Sequence, residues 1–296
     1  MIFSVIVPFL NEEHYLGQCI QSLLNQDFDK DEYELIFIDN GSTDKSINIV
    51  KQFPSVVLLH ERKKYEYACF NRGLQYARGN IVAFTNADCL ISNDWLSQIY
   101  HGINSSNADV VLGRRCFPSV DSFLMRMIEE YENIKIEYVL KSCISKQFFG
   151  YTNNMAIKMD VFKKIGLFCE EHRGGDTEFI QRAVSKIPNA KVIFLSDMKI
   201  IHLEMRNIRT WLKKNIINAC GNRIVMISSE YKPVSYYSKL WTLGYVINSN
   251  NYRLWQKFIF LLLLILGNFF YKIGWIIGYI QFLGINRSYE NFQNKE

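Results

Sequence analysis

Three features of this 296-residue sequence predict an α/β fold built on a mostly parallel sheet. Strand-like and helix-like apolar patterns alternate through the first two thirds of the chain. Acidic residues directly follow two of the strand segments, in "ELIFID" and "IVAFTNAD". A hydrophobic content of 49% supplies apolar surface for a large core and excludes a disordered chain.

The first strand is "FSVIVPF", and Leu16, Ile20, Leu23 and Leu24 then recur at helical spacing. "YELIFID" is the second strand, "GSTDKSINIVKQF" a turn and helix, and "SVVLLH" the third strand. "YACFNRGLQYARG" is expected to be a helix stopped by Gly79, with "NIVAFT" following as the fourth strand. Trp95 to Ile103 is expected to be helical, "DVVLGRR" a strand, and Asp121 to Leu140 a long helix. "NNMAIKM" follows as a strand, then a helix over Asp176 to Lys186, then "KVIFL" and "KIIHL" as two short strands.

Seven cysteines lie far apart, with neither a CxxC pair nor a His/Cys cluster at zinc spacing. A disulfide framework and a structural zinc are therefore not expected, and a reducing, cytosolic setting fits. The opening "MIFSVIVPFL" has no basic leader and runs into Asn11, Glu12 and Glu13, so it is expected to be a strand and not a signal peptide.

In open α/β sheets, ligands gather beyond the carboxyl ends of the strands, where loops meet helix N-termini that favour anions. Asp39 and Asp88 occupy such positions, on the second and fourth strands. A third candidate is Asp176, which follows Gly174 and Gly175 and opens a helix whose positive end favours an ionised carboxylate. His202 closes the last strand segment. Each of these alone also suits a turn, a helix cap or a structural role. Their placement at one rim points to a ligand site.

"SVIVPFLNEEHYLGQCIQSLLNQ", "ELIFIDNGSTD", "NRGLQYARGNIVAFTNADC", "GYTNNMAI" and "GGDTEFIQRA", in this order, resemble the family 2 glycosyltransferases. The likeness runs from about Ile2 to His202 and rests on the ordered set. It implies the GT-A nucleotide-sugar fold: a mostly parallel, Rossmann-like sheet flanked by helices. By the same resemblance, Pro8, Asn11, Glu12, Asp39, Arg72 and Asn86 bind the donor nucleotide, with Asp39 facing the base. Asp88, last member of the family's DxD motif, and His202 hold a divalent cation, Mn²⁺ or Mg²⁺, that bridges the donor diphosphate. Asp176 takes the position of the catalytic base, and Gly150, Thr152 and Glu178 lie on the acceptor side. The chain departs from the pattern at Asn86, where the motif has its first Asp, at Phe70, where many relatives carry Arg, and at Gly175, which often is acidic.

The net charge of +5 is uneven. Residues 1–204 carry 22 Lys/Arg against 26 Asp/Glu, whereas residues 205–296 carry 12 against 3. A basic segment suggests an anionic partner. Its apolar run "KFIFLLLLILGNFFYKIGWIIGYIQFLGI" selects a membrane surface over nucleic acid. Phe258 to Tyr271 would span only about 21 Å as a helix, against a bilayer core of about 30 Å. Extension to Leu283 takes in Asn268 and Lys272, which fall on one helical face with Trp275 and Tyr279. That stripe suits a hairpin, a re-entrant segment, an in-plane helix or a span. Arg253, Lys257 and Arg287 make both flanks basic and favour the cytoplasmic face.

The expected organisation is a catalytic domain over 1–204, a basic amphipathic helical connector over 205–255, a hydrophobic membrane-associated segment over 256–285 and a polar tail over 286–296. The expected activity is inverting transfer of a sugar from a nucleotide-diphosphate donor to a glycan or lipid-linked acceptor in cell-surface polysaccharide biosynthesis. Two other classes compete with it. A sugar-1-phosphate nucleotidyltransferase calls for a Gly-rich, Arg-containing loop after the first strand, where this chain has "PFLNEEHYLG". A membrane-anchored scaffold built on a decayed transferase domain would lack metal-dependent donor hydrolysis.

Overall fold

The computed structural model describes residues 1–63, 65–118, 122–142, 147–170, 174–228, 234–249 and 252–293. Asp121, the expected start of the long helix, and residues 294–296 of the polar tail lie outside these, as does the side chain of Arg287.

Strands β1 (Phe3–Phe9), β2 (Tyr33–Asp39), β3 (Val56–His60) and β4 (Ile81–Phe84) are mutually parallel. They join β5 (Cys89–Ile91), β6 (Val110–Cys116), β7 (Met155–Lys158) and β8 (Val192–His202) in one eight-stranded sheet of order β3-β2-β1-β4-β7-β6-β8-β5. β7 runs antiparallel to both its neighbours, as β5 does to β8, so the sheet is mixed but mostly parallel. β1 is buried throughout, and its alternating side chains feed two cores, one on each face. Val5 and Val7 pack with Leu16, Ile20 and Leu23 of α1 (Leu16–Leu24) and with Trp95, Leu96 and Ile99 of α4 (Trp95–Ser106). Ile6 faces the other side, toward α3 (Glu66–Tyr76), α6 (Met159–Ile165) and α7 (Gly175–Lys186). The short α2 (Ser46–Val50) follows the β2 loop.

Several local expectations change. Helix α3 ends at Tyr76, three residues before Gly79, because Gly79 serves a different purpose. A Cβ there would lie 2.5 Å from the Phe3 carbonyl carbon and the Ser4 nitrogen. The Arg78 and Gly79 amides donate to the Ser4 hydroxyl at 3.1 and 2.8 Å, and Ser4 donates to the buried Glu34 at 2.7 Å. Gly79 therefore lets the chain cross close over β1. "KVIFL" and "KIIHL" form one strand, β8, whose register against β6 shifts between Gly113 and Arg114. β5 and α6 were not legible, being too short for a period to show.

Beyond the sheet, α5 (Phe123–Lys141), α8 (Ile208–Ser228), α9 (Tyr236–Ser249) and α10 (Leu254–Gln293) share a third apolar cluster built from Phe117, Ile128, Tyr131, Trp211, Val246, Phe260 and Leu264. The expected connector is thus two helices, α8 and α9, and α10 is one continuous helix, so the hairpin and re-entrant expectations do not hold. Helix α10 lies on α8 at backbone distance. A Cβ on Gly274 would overlap the Ile216 carbonyl and one on Gly278 the Cys220 carbonyl. The opposite face of α10 is apolar and bare: Phe258, Ile265, Phe269, Ile276 and Ile280 are each 57–62% exposed. By length and composition, Leu254–Leu283 can cross a membrane.

Candidate active site

Parallel pairing brings the carboxyl ends of β1, β2 and β3 to one rim, with Asp39 opposite both Phe9 and His60. Asp39 is buried and accepts the Gly41 and Ser42 amides at 3.2 and 2.9 Å, with His60 Nδ1 at 3.3 Å. Burial alone would raise its pKa. The Ser42, His60 and Gly41 hydrogen bonds outweigh that and hold it below the ordinary value. Asn11, at φ 56°, accepts from the Thr43 amide at 2.8 Å and fixes the adjoining loop.

The chain leaves β4 through Asn86 and Asp88 and enters β5, where Cys89 pairs with His202. That register sets Asp88 beside His202, with Oδ2 2.7 Å from Nε2. Both residues are 5% exposed. Burial opposes the Asp88 charge, but the His202 interaction, aided by Lys214, brings its pKa down to about 2. Glu204 completes a cluster whose ligand atoms lie within 4.8 Å of one another. Glu12 faces the same cluster and is pushed up to about 7, first by burial, then by the Asp88 and Glu204 charges. Lys214 of α8 reaches in to pair with Glu204 at 2.7 Å. Burial disfavours its ammonium, but Asp88 and Glu204 hold its pKa above the ordinary lysine value.

These residues suit a hard divalent cation. Oxygen donors predominate, the negative charges repel one another, and His202 Nδ1 and Asn86 Oδ1 are buried without hydrogen-bond partners among the described residues.

A cavity of about 280 Å³ opens beside this cluster. Asn86, His202 and Lys214 line it at one side; Tyr67, Thr152, Asn153, Asp176 and Thr177 line another. Asp176 sits in the first turn of α7 behind Gly174, whose φ is 93°. It accepts from the Thr177 amide at 2.7 Å, and hydrogen-bonds with the Tyr67 hydroxyl and the Thr152 backbone. Burial nevertheless dominates and raises its pKa. Burial, and then the Asp176 charge, keep Tyr67 protonated, so Tyr67 is the donor in that contact. The loop carrying Thr152 is pinned by Asn154, whose side chain takes the Trp95 indole at 2.8 Å and donates to the Arg114 and Met198 carbonyls at 2.9 and 3.0 Å.

The structure thus gathers Glu12, Asn86, Asp88, Asp176, His202 and Thr152. It does not bring the others in. Asn86, Thr152, Asp176 and His202 line the cavity and Glu12 and Asp88 belong to the cluster beside it, whereas Pro8, Asn11 and Asp39 stay on the rim outside both. Arg72 is exposed on the outer side of α3, with Gln75 as its hydrogen-bond partner. Gly150 packs against Leu112 and Ile180, and Glu178 is clamped by Arg182 at 2.7 Å, away from the cavity. Phe70 is in the apolar core, edge-on to Phe84 at 5.2 Å, which explains why no arginine stands there. Sequence reasoning missed Glu204 and Lys214. Glu204 has a readable signal, two residues after His202 at a strand end. The cavity's far wall holds Arg115, Glu132, Lys135 and Tyr151, and its roof holds Leu264, Gly267, Asn268 and Tyr271 of α10.

The model of Glycosyl transferase family 2 matches residues 4–166, more than half of the chain. The chain belongs to this family. The family segment supplies Asp39 and the Asn86–Asp88 strand end, and ends before Asp176 and the C-terminal helices. Among curated relatives, glycosyltransferase AglE of Haloferax volcanii is 29% identical over 188 residues, covering 61% of this chain and 60% of the relative. Glycosyltransferase GlyG of Streptococcus pneumoniae is 26% identical over 208 residues, covering 66% and 68%. The chain therefore spans about 60% of the length of the Haloferax relative. A mannosyltransferase of Pyrobaculum calidifontis, solved with GDP-Man and Mn²⁺, superimposes with a TM-score of 0.64 at 17% identity, over 95% of this chain and 86% of that one. Staphylococcus aureus TarS with UDP-GlcNAc gives 0.52 at 20% identity, over 95% and 92%. These neighbours share the GT-A fold.

Proposed function

We propose that this family 2 protein is an inverting glycosyltransferase. It moves a sugar from a nucleoside-diphosphate donor to a hydroxyl of a glycan or lipid-linked acceptor in cell-surface polysaccharide biosynthesis. The observation that carries this is that His202, of the Asp88–His202–Glu204 cluster, and Asp176 line one cavity. The names of relatives agree: poly(ribitol-phosphate) β-glucosyltransferase of Bacillus spizizenii is 28% identical over 128 residues, though these are 38% of this chain and 19% of that one.

Asp88, His202 and Glu204 would hold the cation, which when bound supplies counter-charge to the donor diphosphate. Lys214 adds a fixed positive charge beside it, where negative charge builds on the leaving group. Asp39 and Asn11 order the loop that meets the nucleoside, and Asn86 lines the cavity. Asp176 accepts the acceptor hydroxyl proton as that oxygen bonds to the anomeric carbon and the bond from that carbon to the diphosphate breaks. Attack from the face opposite the leaving group inverts the centre. Tyr67, Thr177 and the Thr152 backbone hold the carboxylate in position. Its raised pKa makes it a stronger base than an exposed aspartate.

The test is thermal shift of the full chain with nucleoside diphosphates. A true ligand at about 100 times its Kd stabilises by about 2.7 kcal/mol. Stabilisation that requires Mn²⁺ or Mg²⁺ is the expected result. Indifference to every nucleotide, with and without metal, would sink the reading.

The bare apolar face of α10 supports placement at the cytoplasmic membrane surface, with the cavity roofed from the lipid side. The full chain is expected to sediment with membranes and to resist high-salt washing. Replacing Phe258, Ile265 and Phe269 with aspartate should release it, since a buried aspartate costs about 2.5–3.5 kcal/mol at mid-bilayer. A wild-type chain that is soluble without detergent would contradict this placement.

A further inference from the structure

We propose that the inner end of the cavity, between Arg115, Lys135 and Lys239, binds the phosphate group of an amphiphilic acceptor. This rests on the glycosyltransferase reading and specifies its second substrate. Arg115 and Lys135 both address Oε2 of Glu132, at 3.7 and 2.8 Å, and the Tyr151 hydroxyl donates to the same oxygen at 3.1 Å. The Arg115 and Lys135 side chains are 12% and 14% exposed. The Arg115 guanidinium lies 3.5 Å from the centre of the Tyr151 ring, and its Nε is buried with no hydrogen-bond partner among the described residues. Lys239 of α9 points its ammonium at the Tyr271 ring, 5.0 Å from the centroid, and has no ion pair among the described residues.

Two cations therefore converge on one carboxylate while a third, Lys239, lines the same cavity without an ion pair among the described residues, and uncompensated buried charge is costly. Burial, and then the Lys135 charge, push Lys239 down to about 8. A dianion placed among them would balance the surplus, and an arginine beside two lysines suits phosphate oxygens. Tyr151, Arg115, Lys135 and Lys239 line the same cavity as Asp176, so the anchored group would share one chamber with the base. The amphiphile follows from the roof. Leu264, Gly267 and Tyr271 of α10 line the chamber, while Ile265, Leu266 and Phe269 on the same turns are exposed. An apolar chain could lie along that bare face with its phosphate turned inward.

The experiment uses the full chain in dodecyl maltoside micelles, titrated with dodecyl phosphate and, separately, with glycerol phosphate. Dodecyl phosphate should bind at least about tenfold more tightly. Lys239→Gln should weaken it about fivefold or more, and Lys239→Arg should restore it. Lys51→Gln, the same charge change on an exposed surface, should leave it unchanged. Equal binding of glycerol phosphate overturns the amphiphile. Binding unaffected by Lys239→Gln, or lost equally in Lys239→Arg, overturns the site. Titrating nucleoside diphosphate and Mn²⁺ into the same micelles separates the two levels: nucleotide binding without dodecyl phosphate binding defeats this inference alone, whereas absence of both defeats the reading beneath it.

Discussion

Replacing Asp88 with alanine is expected to lower metal-dependent binding of nucleoside diphosphate at least about 100-fold, because loss of even an outer-shell partner at a metal site costs 10–100-fold. The His202 interaction brings the Asp88 pKa down to about 2 against the opposing effect of burial, so Asp88 is charged throughout the neutral range. It also fixes His202, whose Nε2 lies 2.7 Å away. Alanine removes a charged ligand and frees the imidazole together. The variant should still fold, since the unpaired histidine costs about 1–3 kcal/mol while the strand pairing around it is backbone-made. Asp88→Asn keeps the side-chain volume and should lose most of the metal dependence as well. Calorimetric titration with and without Mn²⁺, beside a circular dichroism melt, reads both quantities. Unchanged metal dependence in either folded variant would remove Asp88 from the site.

Asp176→Asn should lower transfer at least about 10² while donor binding survives. Asparagine keeps the shape and can still accept from the Thr177 amide, but it cannot take the acceptor proton. The wild-type profile should add a second signature. Burial raises the Asp176 pKa, so in the free enzyme activity should fall on acidification at a pH above the ordinary carboxylate range. That acid limb should vanish from the residual activity of the variant. Near-normal turnover, or an unchanged acid limb, would assign the proton to another group.

Lys214, Arg115, Lys135 and Lys239 show where reading the chain in one dimension stops. Nothing near Lys214 marks it, because the acids that define its role, Asp88 and Glu204, reach it only when packing brings α8 beside them. The same holds for Arg115 on β6, which lines one cavity with Lys135 on α5 and Lys239 on α9 across large separations in sequence. Gly79 misleads for a related reason. A glycine after a helical run resembles a stop, and only the proximity of β1 reveals a close crossing.

The sequence by itself determined the alternation of strands and helices, the family, and the acids at Asp39, Asp88 and Asp176. Those features are local: a two-residue period, a helical period, and a polar residue placed where a strand must end. It also determined that the C-terminal third is basic and apolar. Only the tertiary structure decided that this third is no detached anchor. Glycines let α10 lie on α8 at backbone distance, and Leu264, Asn268 and Tyr271 line the same cavity as Asp176. Helix packing depends on which faces meet, and a chain read in order does not say which face will find a partner. The polar stripe was visible in the sequence; packing settled that its Asn268 lines the cavity while Trp275 and Tyr279 meet Arg223 of α8, leaving the apolar side bare.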